Sequence, residues 1–205
     1  MELEEKIKSL QKEISPIIEK RIKEFDEMNR KDDLDWFSEL CFCILTANTS
    51  AELGLRMQKN LRPLEFATLN EYELSMKLKE LGYRFYNTRA KYIRENQKFS
   101  HTIKKIILEK KDIEKREWLV QNIKGLGYKE SSHFLRNVGY KNFAIIDKHI
   151  FNLMKKYGIT NEIKITEKNY VLLENELKKI ADKLGMDLAR LDLYLWYIET
   201  GKVIK

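Results

Sequence analysis

Lys129 and Asp147 are the two side chains whose types and placing best suit covalent chemistry. Lys129 follows Ile123-Lys124-Gly125-Leu126-Gly127-Tyr128, an apolar-x-Gly-apolar-Gly turn with an amphipathic segment on either side. The glycines permit positive φ and keep the turn clear of side chains, so two helices joined here form a helix-hairpin-helix. The backbone N–H groups of Gly125, Leu126 and Gly127 then lie beside the N-terminus of the second helix and form a nest for an anion. A nucleic-acid phosphate suits such a nest, and a grip of this kind holds a duplex without reading its sequence. The plainer reading is one helix stopped by glycine and followed by another. Two glycines at this spacing, in a basic chain, favour the anion site.

Lys129 falls in the first turn of the second helix, where the macrodipole and neighbouring peptide N–H groups disfavour added positive charge. An ordinary lysine, with a pKa of about 10.4, is almost wholly protonated near neutrality and attacks poorly. One that is desolvated and set among like charge attacks an electrophilic carbon and forms a Schiff base. Asp147 lies 18 positions further on, where a helix N-cap is expected. There it is placed to take a proton or steady a developing cation. In a chain with 39 Lys+Arg and 32 Asp+Glu, a Lys and an Asp chosen on spacing alone would be surface groups. Their place relative to the hairpin sets these two apart.

The elements that must carry them read as helices. Leu3, Ile7, Leu10, Ile14, Ile17, Ile18, Ile22 and Phe25 make one apolar stripe, with a kink or a break expected at Pro16. Asp33 is placed to cap a central helix over 34–47, apolar nearly all round. Thr49–Glu52 has the form of a capping box opening a helix to Leu61, ended by Pro63. Further helices are expected over 70–81, 88–97, 100–109, 113–123, 128–138, 148–157, 166–184 and 187–200, several of them closed by glycine. The fold class is all-α, of about ten short helices, with no repeat and no linker.

Composition agrees. Only 8 Gly and 2 Pro stand against a turn-rich β protein, and 43% hydrophobic with 11% aromatic residues stands against disorder. Two cysteines, Cys41 and Cys43, exclude a disulfide scaffold and a four-thiolate iron–sulfur cluster within one chain. His101, His133 and His149 have no partner at ligand spacing, so no metal is expected. The charged N-terminus and the absence of a long apolar run predict a soluble intracellular protein without a membrane partner. A net charge of +7 suits a polyanionic partner.

The stretch KGLGYKESSHFLRNVGYKNFAIIDKHIF, over 124–151, resembles the helix-hairpin-helix/Gly-Pro-rich/Asp motif of base-excision DNA glycosylases. Hairpin, Lys129, spacing, Asp147 and the tail through His149 all agree. The chain departs from the pattern in 139–143, Gly-Tyr-Lys-Asn-Phe, which lacks proline, and in having no four-cysteine cluster. LCFCILTANTSAELGLRMQ, LGYRFYNTRAKYI and LDLYLWYIETGKVIK look most like the archaeal-type (type 2) 8-oxoguanine DNA glycosylase/AP lyases, and the likeness runs from about residue 34 to Lys205.

That resemblance implies two helical subdomains with a cleft into which a lesion base is flipped. Residues 34–145 would form one, with the hairpin over 113–139; residues 1–33 and 146–205 would form the other. It implies attack by Lys129 at C1′, expulsion of 8-oxoguanine, and strand cleavage by β-elimination, with Asp147 assisting deprotonation and stabilising the oxocarbenium-like transition state. The partner would be double-stranded DNA carrying 8-oxoguanine, met by a monomer without cofactor in the cytoplasm or nucleoid of a prokaryote.

A flipping enzyme fills the gap it leaves in the base stack. The resemblance suggests Phe85 as the wedge and Arg84 beside the orphaned cytosine; an aromatic here is equally suited to packing under the next helix. Asn48 reads either as a second contact with the opened pair or as a helix C-cap. Trp196 lies in an apolar stripe that periodicity assigns to the core, and the resemblance places it in the lesion-base pocket. Lys205 would lie near the lesion, its terminal carboxylate accepting from the N7–H that guanine lacks. Two other readings remain: a glycosylase for another damaged base, and a non-catalytic hairpin module that only grips DNA. A helical protein–protein adaptor must ignore the hairpin and the basic balance.

Overall fold

Leu3, Ile7, Ile14, Ile18, Ile22 and Phe25 recur at helical spacing and are all buried, on one face of α1 (Glu2–Arg30). The computed structural model describes residues 2–205, and among these it contains helices and no strand. Pro16 does not divide α1. It lies on the exposed side, where a carbonyl left without its helical donor can turn to water, so the helix runs on past it.

α2 (Asp33–Thr46) is capped by Asp32, whose carboxylate accepts from Asp35 N at 3.0 Å. The expected cap, Asp33, instead accepts from Lys104 N at 2.7 Å and so caps a later helix, α7 (Ile103–Leu108). From Trp36 to Thr46 every residue of α2 is buried, which accounts for its apolar circumference. Ser50 alone caps α3 (Ala51–Asn60), accepting from Leu53 N. The expected capping box does not form there, because its third helical position holds Leu53. Pro63 opens α4 (Pro63–Thr68), using the first-turn place that needs no N–H.

α5 (Glu71–Glu80) has the reciprocal Asn70–Glu73 box. α6 (Tyr86–Asn96) runs into a 3₁₀ turn over Gln97–Phe99, and α7 (Ile103–Leu108) follows. Next come α8 (Asp112–Asn122), α9 (Tyr128–Asn137), α10 (Lys148–Lys156), α11 (Glu167–Lys183) and α12 (Leu188–Thr200). Among the described residues no helix is long and apolar enough to cross a membrane.

The fold divides into two units. One is continuous, Met28–Phe134; in it α2 is the central helix and packs against α3, α4, α6 and α7. The other joins the described chain up to Glu27 with Leu135–Lys205, and there α12 packs on α10 and α11. Ser15 Oγ and Tyr194 Oη lie 2.7 Å apart, and Arg190 pairs with Glu19 at 2.7 Å, tying α1 to α12 within that unit.

Candidate active site

The hairpin turn lies between α8 and α9, in the continuous unit. Gly125 has φ +92°, and a Cβ there would stand 2.7 Å from the Tyr92 ring, so both its conformation and its neighbour require glycine. Leu126 is buried beneath the turn. Asn96 holds the turn to α6: its amide nitrogen donates to Lys124 O at 2.9 Å, and its oxygen accepts from Lys124 N at 3.0 Å. A buried side-chain amide that matches both backbone groups of one residue fixes the loop in register.

Gly127 N donates to Glu130 Oε2 at 3.4 Å, and Gly127 O accepts from Ser131 N at 3.0 Å. Gly127 thus stands at the cap of α9, and Lys129 lies in its first turn as the spacing predicts. The Lys129 side chain is 27% exposed and its Nζ lies 3.3 Å from Glu130 Oε1. The amine is reachable, on a rigid element, with a carboxylate beside it.

The two candidate base-contacting loops belong to this same unit. At the end of α2, Asn48 adopts φ +60° and exposes its side chain, the left-handed conformation that commonly follows a helix. The carbonyls before it are taken up by side chains: Tyr83 Oη donates to Leu45 O at 2.5 Å and Arg89 Nη2 donates to Ala47 O at 2.7 Å. Arg84 is exposed and lies over the Phe85 ring, 4.4 Å from its centroid. Phe85 is half-buried at the N-cap of α6.

Asp147, Trp196 and Lys205 belong to the other unit. Asp147 caps α10, as its sequence position predicts: Oδ1 accepts from His149 N at 2.8 Å and from Ile150 N at 2.9 Å. The loop leading to it is held from α11. Glu174 accepts from Ala144 N at 2.8 Å, while Tyr170 Oη donates to Ala144 O and accepts from Ile146 N. The His149 ring meets Trp196 edge-on, with centroids 5.8 Å apart and planes at 87°. Trp196 is half-buried at the end of the buried run Leu191–Leu195, so the core stripe of α12 stops one residue short of it. Lys205 is half-buried.

A buried ion pair lies close enough to Asp147 for its charge to be felt. Arg136 of α9 donates to Asp192 of α12 and to Asn137 Oδ1, and its guanidinium stacks 4.9 Å from the Phe25 centroid. Asp192 sits among Ala144, Ile145, Ile150, Leu188, Leu191 and Leu195. Burial pushes its carboxyl up to about 6; the Arg136 guanidinium opposes that shift and the Asp147 charge adds to it.

Sequence reasoning missed Arg89, Asn96, Tyr170, Glu174 and the Arg136–Asp192 pair. One signal was available: Phe85, Arg89, Tyr92 and Asn96 are spaced four, three and four apart, a polar-aromatic stripe along one helix. Glu174 and Asp192 carry a weaker one, each being a charge inside an otherwise apolar helical stripe.

A family model described as 8-oxoguanine DNA glycosylase matches residues 18–186. The chain is 49% identical to the 8-oxoguanine DNA glycosylase/AP lyase of Methanocaldococcus jannaschii, over 100% of each. It is 49% identical to that of Korarchaeum cryptofilum, over 94% of this chain and 92% of the relative. The crystal structure of the M. jannaschii enzyme in complex with a 15mer DNA containing 8-oxoguanine has a TM-score of 0.95 with this chain, at 48% identity and covering 100% of both. That of the Thermotoga maritima 8-oxoguanine DNA glycosylase gives 0.93 at 42% identity, covering 100% of this chain and 99% of that one.

Proposed function

The chain belongs to the 8-oxoguanine DNA glycosylase family, and from that membership we propose that it excises 8-oxoguanine from DNA and cleaves the strand as an AP lyase. The observation that carries the reading is Lys129 in the first turn of α9, directly behind the Gly125–Gly127 turn. In this reading a DNA phosphate displaces Glu130 from Gly127 N–H and binds at the turn, and the same helix presents an amine beside the held backbone.

In this reading the lesion nucleotide leaves the stack, Phe85 fills the gap, and Arg84 and Asn48 meet the orphaned base. Trp196 and Lys205 line the base pocket. Lys129 Nζ bonds to C1′ as the C1′–N9 bond breaks, and the base departs with the bonding electrons. Asp147 first takes a proton from the Lys129 ammonium, so that the neutral amine attacks, and its charge steadies positive charge on the sugar, through the Oδ2 that does not serve the helix cap. Ring opening gives the C1′ iminium. Loss of a C2′ proton then expels the 3′ phosphate, and water releases Lys129 from the nicked product.

The test is borohydride trapping on a labelled duplex with 8-oxoguanine opposite cytosine. Wild type is expected to give a covalent adduct that Lys129→Gln abolishes. Asp147→Asn should slow its formation by about a hundredfold or more while still binding the duplex. Salt-dependent binding with no adduct from wild type would favour the hairpin module that grips DNA without cutting it.

A further inference from the structure

Phe85, Arg89, Tyr92 and Asn96 lie at intervals of four, three and four at the start and along one face of α6, and between them they meet the hairpin turn and both candidate base-contacting loops. Asn96 brackets Lys124 of the hairpin by its two hydrogen bonds. Tyr92 lies under Gly125 and takes the Lys124 ammonium 5.8 Å from its centroid. Arg89 stands between the hairpin side of the stripe and the two candidate base-contacting loops. Its Nη2 donates to Ala47 O, the residue before Asn48, and its guanidinium lies 6.0 Å from the Phe85 centroid and 5.5 Å from that of Tyr92.

Arg89 is only 8% exposed, and its Nε has no hydrogen-bond partner. A buried guanidinium with an unused N–H is costly as a structural part. Methionine would fill the same space without burying a charge. Arginine alone has a planar fork that reaches a carbonyl with one arm while its face lies against aromatic rings.

We propose that Arg89 is a positioning residue that fixes the spacing of Asn48 and Phe85. It anchors the loop of the first through Ala47 O and supports the ring of the second through its guanidinium face. The two side chains then engage a single opened base pair as one unit. This rests on the reading of Phe85 and Asn48 as the groups that meet that pair.

The test is a double-mutant cycle on single-turnover excision of 8-oxoguanine from duplex DNA. Asn48→Ala, Phe85→Ala and the double variant are compared in the wild-type background and again with Arg89→Lys. Arg89→Gln serves if the lysine variant melts early. With Arg89 present, the double variant should lose less than the product of the two single losses, by about fivefold or more. With Arg89→Lys the losses should multiply independently. A purely structural Arg89 would lower all four rates together and leave the coupling unchanged, and that result would overturn the proposal. Independent losses in the wild-type background would overturn it too. A wild type inactive on the duplex would instead bring down the function on which this inference rests, so the two failures are told apart.

Discussion

Asp192 shows how one buried carboxylate writes itself into the pH dependence of the fold. Its carboxyl stands at about 6 against an ordinary 3.8, so it favours folding most below pH 3.8, and that contribution is lost as pH rises through 6. The shift corresponds to roughly 3 kcal/mol. Urea unfolding across this range should show the advantage of wild type over Asp192→Asn shrinking by about that amount as pH rises. Glu65 runs the other way, held at about 2 chiefly by a hydrogen bond from the Lys77 ammonium, and its contribution fades as pH falls; being common to both proteins, it cancels in the comparison. Since the Asp147 charge adds to the push on Asp192, Asp147→Asn should move the Asp192 midpoint downward, which carboxylate NMR would read directly.

At the scale of elements, the hairpin is the feature most dependent on single residues. Gly125→Ala sets a side chain at φ +92° and drives its Cβ into the Tyr92 ring. It should cost about 1–3 kcal/mol of stability in chemical unfolding and weaken duplex binding in titration. What could be read of the elements followed their local rules. The α9 start and the Asp147 cap were legible because each is decided within a few residues of chain. The role of Asp33 was not, since its partner Lys104 lies far along the sequence and Asp32 offers the nearer helix an equal cap. Pro16 misled for a related reason: whether a proline breaks a helix depends on which face it occupies. Arg89 escaped notice because a buried arginine looks like any surface one until Ala47 O is seen beside it.

For the molecule as a whole, the surplus of positive charge should govern how tightly DNA is held. With +7 overall and an amide turn as the proposed grip, affinity for duplex should fall linearly on a log–log plot against salt. A loss of about tenfold or more between 50 and 200 mM is expected from filter-binding or anisotropy titrations, nearly alike for damaged and undamaged sequences. The division of the fold has a further consequence, in time. Residues 28–134 are contiguous and hold the hairpin and Lys129, so this unit has all its parts before the last third of the chain has left the ribosome. The unit holding Asp147 must wait: α1 meets its partners Tyr194 and Arg190 only once α12 has been made. A nascent chain therefore completes the unit that carries Lys129 before the one that carries Asp147.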